Sequence, residues 1–183
     1  DPIKENEQKS LTLGSYANVY FPYLGKTIKG KVDTGATTSS LHGTNVNIEK
    51  KQGTVSFICC ALSDNIISLP LKGTQEVHSA DGGSELRPVV SLDIKINGIP
   101  LKNIEFNIND RSNMDVPLLI GQNILKAGEF VVDVKDTNIK ETENASSTIQ
   151  NQTPTIDEAK NAAILILTFL NASNNSPPES MPK

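Results

Sequence analysis

Gly30-Lys31-Val32-Asp33-Thr34-Gly35-Ala36 is the stretch that decides how this 183-residue chain is read. The expected strand 27–32 leads into a carboxylate, a hydroxyl and a glycine. A carboxylate that activates water has to sit at a defined place in a cleft. Thr34 offers a hydroxyl that can tie the loop to a symmetry mate. Gly35 lets the backbone turn tightly and approach a neighbouring chain. Alone, Asp-Thr/Ser-Gly is weak, since background frequencies place it in roughly one chain in ten of this length. An ordinary turn with a solvated Asp explains it equally well.

Two further stretches give it weight. Pro117-Leu118-Leu119-Ile120-Gly121 is an apolar strand ending in glycine, and Gln122-Asn123-Ile124-Leu125 then begins a short helix. Between the two motifs, Gln75 to Leu86 carries a turn at Asp81-Gly82-Gly83 inside extended chain, which suits a hairpin. The text from Leu11 to Val134 reads as short strands: 19–21, 27–32, 55–62, 66–71, 89–96, 104–108 and 130–134. Leu92, Ile94 and Ile96 alternate with Asp93 and Lys95, as in a strand with one buried face. Asn97-Gly98 is a hairpin turn, because both residues tolerate positive φ. Many short strands at this spacing imply a barrel or sandwich.

Composition narrows the classes. With 37% hydrophobic residues and no Trp, aliphatic side chains must build the core. A net charge of −4 gives no basic patch for nucleic acid or an anionic membrane. Cys59 and Cys60 are adjacent in an apolar run and read as buried thiols rather than a bridge. The longest apolar stretch, Ala162 to Leu167, is far short of the roughly 20 residues a membrane span needs. No secretory signal is visible, and the chain starts at Asp1, so the compartment stays open. A soluble protein of an AT-rich bacterium or phage fits the abundance of Asn, Ile and Lys.

The domain layout expected is a flexible arm over 1–10, one domain over 11–134, a linker over 135–155, an amphipathic helix over 156–172 and a disordered tail over 173–183. Thr155-Ile156-Asp157-Glu158 is a capping-box pattern for that helix. Ile156, Ala159, Ala163, Ile166, Leu167 and Leu170 would form its apolar face.

Taken in order, Asp33-Thr34-Gly35-Ala36, the hairpin, and Leu119-Ile120-Gly121 followed by Asn123-Ile124-Leu125 resemble the retroviral proteases. The text is also similar to a bacterial and viral family that carries the name ATP-dependent zinc protease and has a retropepsin-like fold. The matching stretches are Gly30 to Ala36, Ser39-Ser40-Leu41-His42, Glu85-Leu86-Arg87-Pro88-Val89-Val90, Asp110-Arg111-Ser112-Asn113-Met114 and Pro117 to Gly121. Thr37 and Gln122 depart from the family, which often has basic residues there. The resemblance implies an all-β fold: a closed retropepsin-like acid-protease β-barrel, one short helix after the Gly121 strand, and here a C-terminal tail with one helix. It implies Asp33, Thr34 and Gly35 as catalytic residues and Ala36, Asp81, Gly82 and Gly83 as substrate contacts. Ile120 and Gly121 support the loop from behind, with glycine where two backbones cross.

The family's name implies zinc and ATP, and the residues do not supply them. There is no His-Glu-x-x-His pair, His42 and His78 are the only histidines, and no phosphate-cradling Gly-x-x-x-x-Gly-Lys-Ser/Thr loop exists. No cofactor and no metal are expected. Arg87 and Arg111 suit either ion pairs or contacts to substrate or a second subunit. Asp133 lacks a following Thr-Gly or Ser-Gly and is not taken as a second catalytic Asp.

One Asp-Thr-Gly per chain implies a homodimer, because aspartic proteolysis needs two carboxylates that share a proton and a water. The reading is a homodimeric aspartic endopeptidase acting on a peptide or protein substrate. A hydrolase of a special amide, such as a peptide tail added after translation, would use the same pair. A non-catalytic barrel that binds peptides or assembles larger particles is the alternative.

Overall fold

The computed structural model describes residues 2–137 and 139. The expected helix over 156–172, the tail over 173–183 and most of the linker over 135–155 lie outside the described residues. The described part is mostly β. It begins with α1 (Pro2–Ser10), β1 (Thr12–Leu13), β2 (Tyr16–Phe21), β3 (Lys26–Val32) and β4 (Ser39–His42). β5 (Thr44–Glu49), β6 (Thr54–Ile58) and β7 (Ile67–Pro70) follow. The long hairpins come next: β8 (Gly73–His78), β9 (Ser84–Ile96) and β10 (Ile99–Asn109). β11 (Leu118–Ile120), α2 (Gln122–Ala127) and β12 (Val131–Val132) complete it.

The main sheet has the order β10-β4-β11-β3-β2-β9-β8, and β9 also pairs with β10, so six of its strands are joined in a ring with β8 outside. Its core is aliphatic, as the composition requires. Val19, Phe21, Leu41, Val90, Ile96, Phe106, Leu118 and Ile120 are all fully buried. Phe21 and Phe106 meet with ring centroids 5.6 Å apart and tilted, a favoured aromatic contact. Leu92, Ile94 and Ile96 point into the core, as their alternation predicts. Asn97 and Gly98 both take positive φ, 49° and 78°, and return the chain from Ile96 to Ile99 in register. β5, β6 and β7 form a separate antiparallel sheet, and β1 pairs with β12 in parallel.

Several expectations change. Residues 1–10 were expected as a loose arm, and Pro2–Ser10 is helical. Proline is favoured at the first helical position, and Glu5 and Lys9 complement the helix dipole, yet none of the nine residues is buried. The strand expected over 55–62 stops at Ile58, because the backbone turns at Cys59, whose carbonyl accepts the N–H groups of Leu62 and Ser63. That turn puts Cys59 inside and Cys60 outside, so only one of the two thiols is buried. Burial pushes the Cys59 thiol up. Asp133 lies just past the two-residue β12 and is exposed. Among the described residues no helix is long and apolar enough to cross a membrane.

Candidate active site

β11 lies between β3, to which it runs parallel, and β4, to which it runs antiparallel. The loop Asp33–Thr38 joins β3 to β4 and therefore passes over the end of β11. The chain crosses there at close range. Asp33 N–H donates to the Ile120 carbonyl at 3.0 Å, and Gln122 N–H donates to the Ala36 carbonyl at 2.8 Å. A Cβ at Gly121 would sit 2.2 Å from the Thr38 carbonyl oxygen, so only glycine fits at this crossing. Ser39 accepts Gly121 N–H at 2.9 Å and donates to Asn123 Oδ1 at 2.6 Å, tying β4 to the start of α2.

Asp33 is half-buried at the head of the loop. Its Oδ1 accepts Gly35 N–H at 2.9 Å, which fixes the carboxylate against its own backbone. Oδ2 takes no hydrogen bond among the described residues. Thr34 and Gly35 are exposed and Ala36 is half-buried. Gln122, one of the departures from the family text, donates from Nε2 to the Thr34 carbonyl at 2.8 Å. It thus pins the loop from the α2 side, a role its sequence position did not announce. On β3 the burial alternates, leaving Lys29 and Lys31 exposed on one face in the approach to Asp33. Lys29 Nζ rests 4.5 Å from the Tyr16 ring centroid, and the Tyr16 hydroxyl donates to Asp115 at 3.2 Å.

Asp81, Gly82 and Gly83 do form the tip of a hairpin, between β8 and β9. Gly82 has φ +86°, and Ser79 N–H donates to the Gly83 carbonyl at 2.9 Å. No hydrogen bond among the described residues joins the tip to the Asp33 loop. The link comes lower down. Gln75 Nε2 donates to Thr38 Oγ1 at 3.1 Å. Asn107, 2% exposed, spans the join: its Oδ1 accepts from Ser40 at 2.7 Å and from Arg87 Nη1 at 3.3 Å, while its Nδ2 donates to Gln75 at 3.1 Å. A cleft of about 270 Å³ opens here, lined by Thr38, Thr74, Gln75, Asn107 and Asn123 among others. The exposed Leu86 and Met114 offer apolar surface on the hairpin and on the loop before β11.

The Ser79 hydroxyl bonds to Asp81, and this bond, with the Gly83 N–H at 3.2 Å, holds the Asp81 carboxyl below its ordinary value. A depressed acid pKa means that the folded tip favours the ionised form. That contribution is complete above the ordinary carboxylate range and is lost as pH falls through the depressed value. Asp81→Ala should therefore loosen the tip at neutral pH. Amide exchange at Gly82 and Gly83 should quicken while exchange in the lower hairpin is unchanged. Unaltered exchange at the tip would contradict this.

The remaining candidates scatter. His42 Nδ1 accepts the Arg111 backbone N–H at 2.9 Å. The Asp110 carboxylate lies 3.8 Å from the same nitrogen. His78 is exposed on β8. Arg87 pairs with Glu85 at 3.0 Å. Among the described residues no group of His, Cys, Asp or Glu side chains gathers where it could hold a metal ion.

A family model for the retropepsin-like aspartic endopeptidase RimB matches residues 12–143, well over half of the chain. The chain belongs to this RimB-like family. Its relatives include probable alpha-L-glutamate ligases. That of Shewanella pealeana is 31% identical over 133 residues, 68% of this chain and 29% of the ligase. That of Desulfotalea psychrophila is 30% identical over 118 residues, 60% of this chain and 25% of the ligase. The chain thus spans little more than a quarter of those proteins. A Legionella pneumophila protein of unknown function, whose crystal structure covers 69% of this chain and is itself 95% covered, is 27% identical with a TM-score of 0.57.

Proposed function

We propose that this RimB-like chain is an aspartic endopeptidase that works as a C2 homodimer, with Asp33 from each subunit flanking one water. The carrying observation is the Asp33 loop, clamped at Ile120, Gly121 and Gln122 so that a half-buried carboxylate keeps one oxygen unengaged. A single such carboxylate is half of the machinery. In the dimer, the ionised Asp33 takes a proton from the water, and that water attacks the scissile carbonyl. The protonated partner donates to the developing oxyanion. Thr34, exposed beside Asp33, would contact its symmetry mate. The ring of six strands is read as the closed barrel that holds both loops rigid, and the β8–β9 hairpin as a flap. Asp81, Gly82 and Gly83 would lie over a peptide held extended, with Ala36 bonding its backbone.

The substrate class follows from the company the domain keeps. Its match covers about a quarter of proteins named as glutamate ligases, and it carries no phosphate loop of its own. A hydrolase module beside a ligase suits cleavage of the bonds that such a ligase forms, so peptides rich in α-linked glutamate are the substrate proposed. Lys29 and Lys31 leading to Asp33 fit an acidic chain.

Dilution tests the dimer. Specific activity should fall once the protein is diluted below its dimer dissociation constant, while the fold by circular dichroism persists. Constant specific activity in a demonstrated monomer would reject the shared site. Because the water is activated by carboxylates, EDTA should leave cleavage unchanged. Loss of activity on chelation, restored by zinc, would reject the aspartic mechanism.

A further inference from the structure

Arg111 is 8% exposed, yet among the described residues no carboxylate lies within ion-pair distance of it. Arginines are almost never buried without a partner, because an uncompensated charge is costly away from water. The side chain has one hydrogen bond, from Nε to the Val116 carbonyl at 3.4 Å, so its two terminal nitrogens have no partner among the described residues. They are not sealed in. The unpartnered side-chain atoms cut off from solvent are Thr27 Oγ1 and Asn109 Oδ1, and the Arg111 nitrogens are not among them. What they reach is a pocket of about 190 Å³ between the β10–β11 loop and the end of β4. Arg111, His42, Met114, Asp115 and Pro117 are among its lining residues. The His42 ring is fixed there by accepting the Arg111 backbone N–H at Nδ1, 2.9 Å away. Two acids stand near, and neither engages the guanidinium. Asp110 is exposed and accepts the Ser112 N–H at 2.9 Å. Asp115 is exposed on the pocket rim, where its Oδ2 accepts the Tyr16 hydroxyl at 3.2 Å.

The Tyr16 bond sets this pocket beside the basic strand that leads to Asp33. Lys29 Nζ rests 4.5 Å from the Tyr16 ring centroid, and Lys31 is the residue opposite Tyr16 across β2 and β3. From Pro117 at the pocket to Gly121 beneath the Asp33 loop is one pass along β11, about 13 Å at the usual strand rise. A pocket of 190 Å³ is smaller than the roughly 300–1,000 Å³ that drug-sized ligands fill, so it suits one side chain or a small anion. We propose that this pocket is a subsite for a carboxylate side chain of the peptide to be cut, held by the Arg111 guanidinium about four extended residues from the scissile bond. A guanidinium meets a carboxylate with two parallel N–H donors, and the incoming charge would compensate the buried cation. This inference rests on the endopeptidase reading and extends its preference for glutamate from the lysines of β3 to a defined recess.

The test is calorimetry on the full chain carrying Asp33→Asn, with a peptide of α-linked glutamates and its glutamine counterpart. The glutamine peptide should bind about tenfold or more weaker, as loss of a charge-assisted hydrogen bond implies. Two added substitutions leave Arg111, and with it the fold, in place. Asp115→Asn removes the acid on the rim, keeps an oxygen for Tyr16 and should tighten the glutamate peptide about two- to fivefold. If Asp115 were instead the counter-ion of Arg111, this change would lower the melting temperature and leave affinity unaltered, which would overturn the subsite. Met114, 61% exposed, allows the opposite change. Met114→Glu sets a carboxylate against the guanidinium and should weaken the glutamate peptide about tenfold while sparing the glutamine peptide. Unchanged affinity in Met114→Glu, or no binding of the glutamate peptide by the Asp33→Asn parent, would overturn the subsite. The expected binding changes with no cleavage by the wild type would uphold the subsite and reject only the peptidase reading. Cleavage of glutamate peptides with the same kcat/KM by the wild type and by Met114→Glu would uphold the peptidase and reject the subsite.

Discussion

Asp33→Asn is expected to lower peptide cleavage by at least about a thousandfold, since in the proposed mechanism it removes the group that takes the proton from water. The fold should survive. Asn keeps an oxygen at Oδ1, so the bond from Gly35 N–H at 2.9 Å can persist, and the loop's clamps at Ile120 and Gln122 are backbone or remote contacts that the change does not touch. Melting temperature and dimer dissociation constant should stay near the wild-type values. Mixing gives a sharper check. When subunits exchange freely, a threefold excess of mutant leaves about one subunit in four wild type, so the share of wild-type chains in fully wild-type dimers drops to about a quarter. A heterodimer carries one carboxylate, so activity should fall in that proportion. Undiminished activity of the wild-type chains after exchange would mean that each subunit works alone. Full cleavage by the Asn variant would place the chemistry elsewhere.

The loop and its support were legible because each part has a local chemical signature. Val32-Asp33-Thr34-Gly35 and Ile120-Gly121 lie far apart in sequence, and the structure joins them as the motif order predicts. The period-two run from Leu92 to Ile96 and the Asn97-Gly98 turn fixed one hairpin down to its register. What stayed hidden depends on partners distant in the chain. Ser39 to His42 reads as polar and short, yet it forms β4, because pairing with β10 on one side and β11 on the other supplies what its own pattern lacks. Gln122 looked like a loss of the family's basic residue, and its tie to Thr34 emerges only when α2 is set against the loop. The split fate of Cys59 and Cys60 turns on a backbone reversal that an unbroken apolar run does not reveal. Asn107 gave no signal: an amide in a strand is unremarkable until four side chains from separate elements converge on it.

Gly121→Ala is expected to cost more than about 4 kcal/mol and to leave little folded protein, an effect of the size reserved for severe overpacking. Backbone conformation is not the reason. Gly121 has φ −95° and ψ −174°, which any residue adopts. The obstacle is contact: the added carbon would lie 2.2 Å from the Thr38 carbonyl oxygen, 2.6 Å from its carbon and 3.0 Å from the Ala36 oxygen. All three are backbone atoms of the Asp33 loop and cannot swing aside as a flexible side chain could. Moving them would break the bond from Gln122 N–H to Ala36 and the bond from Gly121 N–H to Ser39, leaving buried polar groups unpaired. Gly98→Ala supplies the contrast. Its φ of +78° is strained for alanine, but the added carbon meets nothing within 4 Å, so only about 1–2 kcal/mol should be lost. Urea denaturation of the two variants measures the difference. A Gly121→Ala protein that unfolds at the wild-type midpoint would show that the crossing is looser than these distances state. If it kept the midpoint but lost cleavage, the strain would have been relieved by moving the Asp33 loop itself, and the glycine would then serve the placement of the carboxylate more than the stability of the fold.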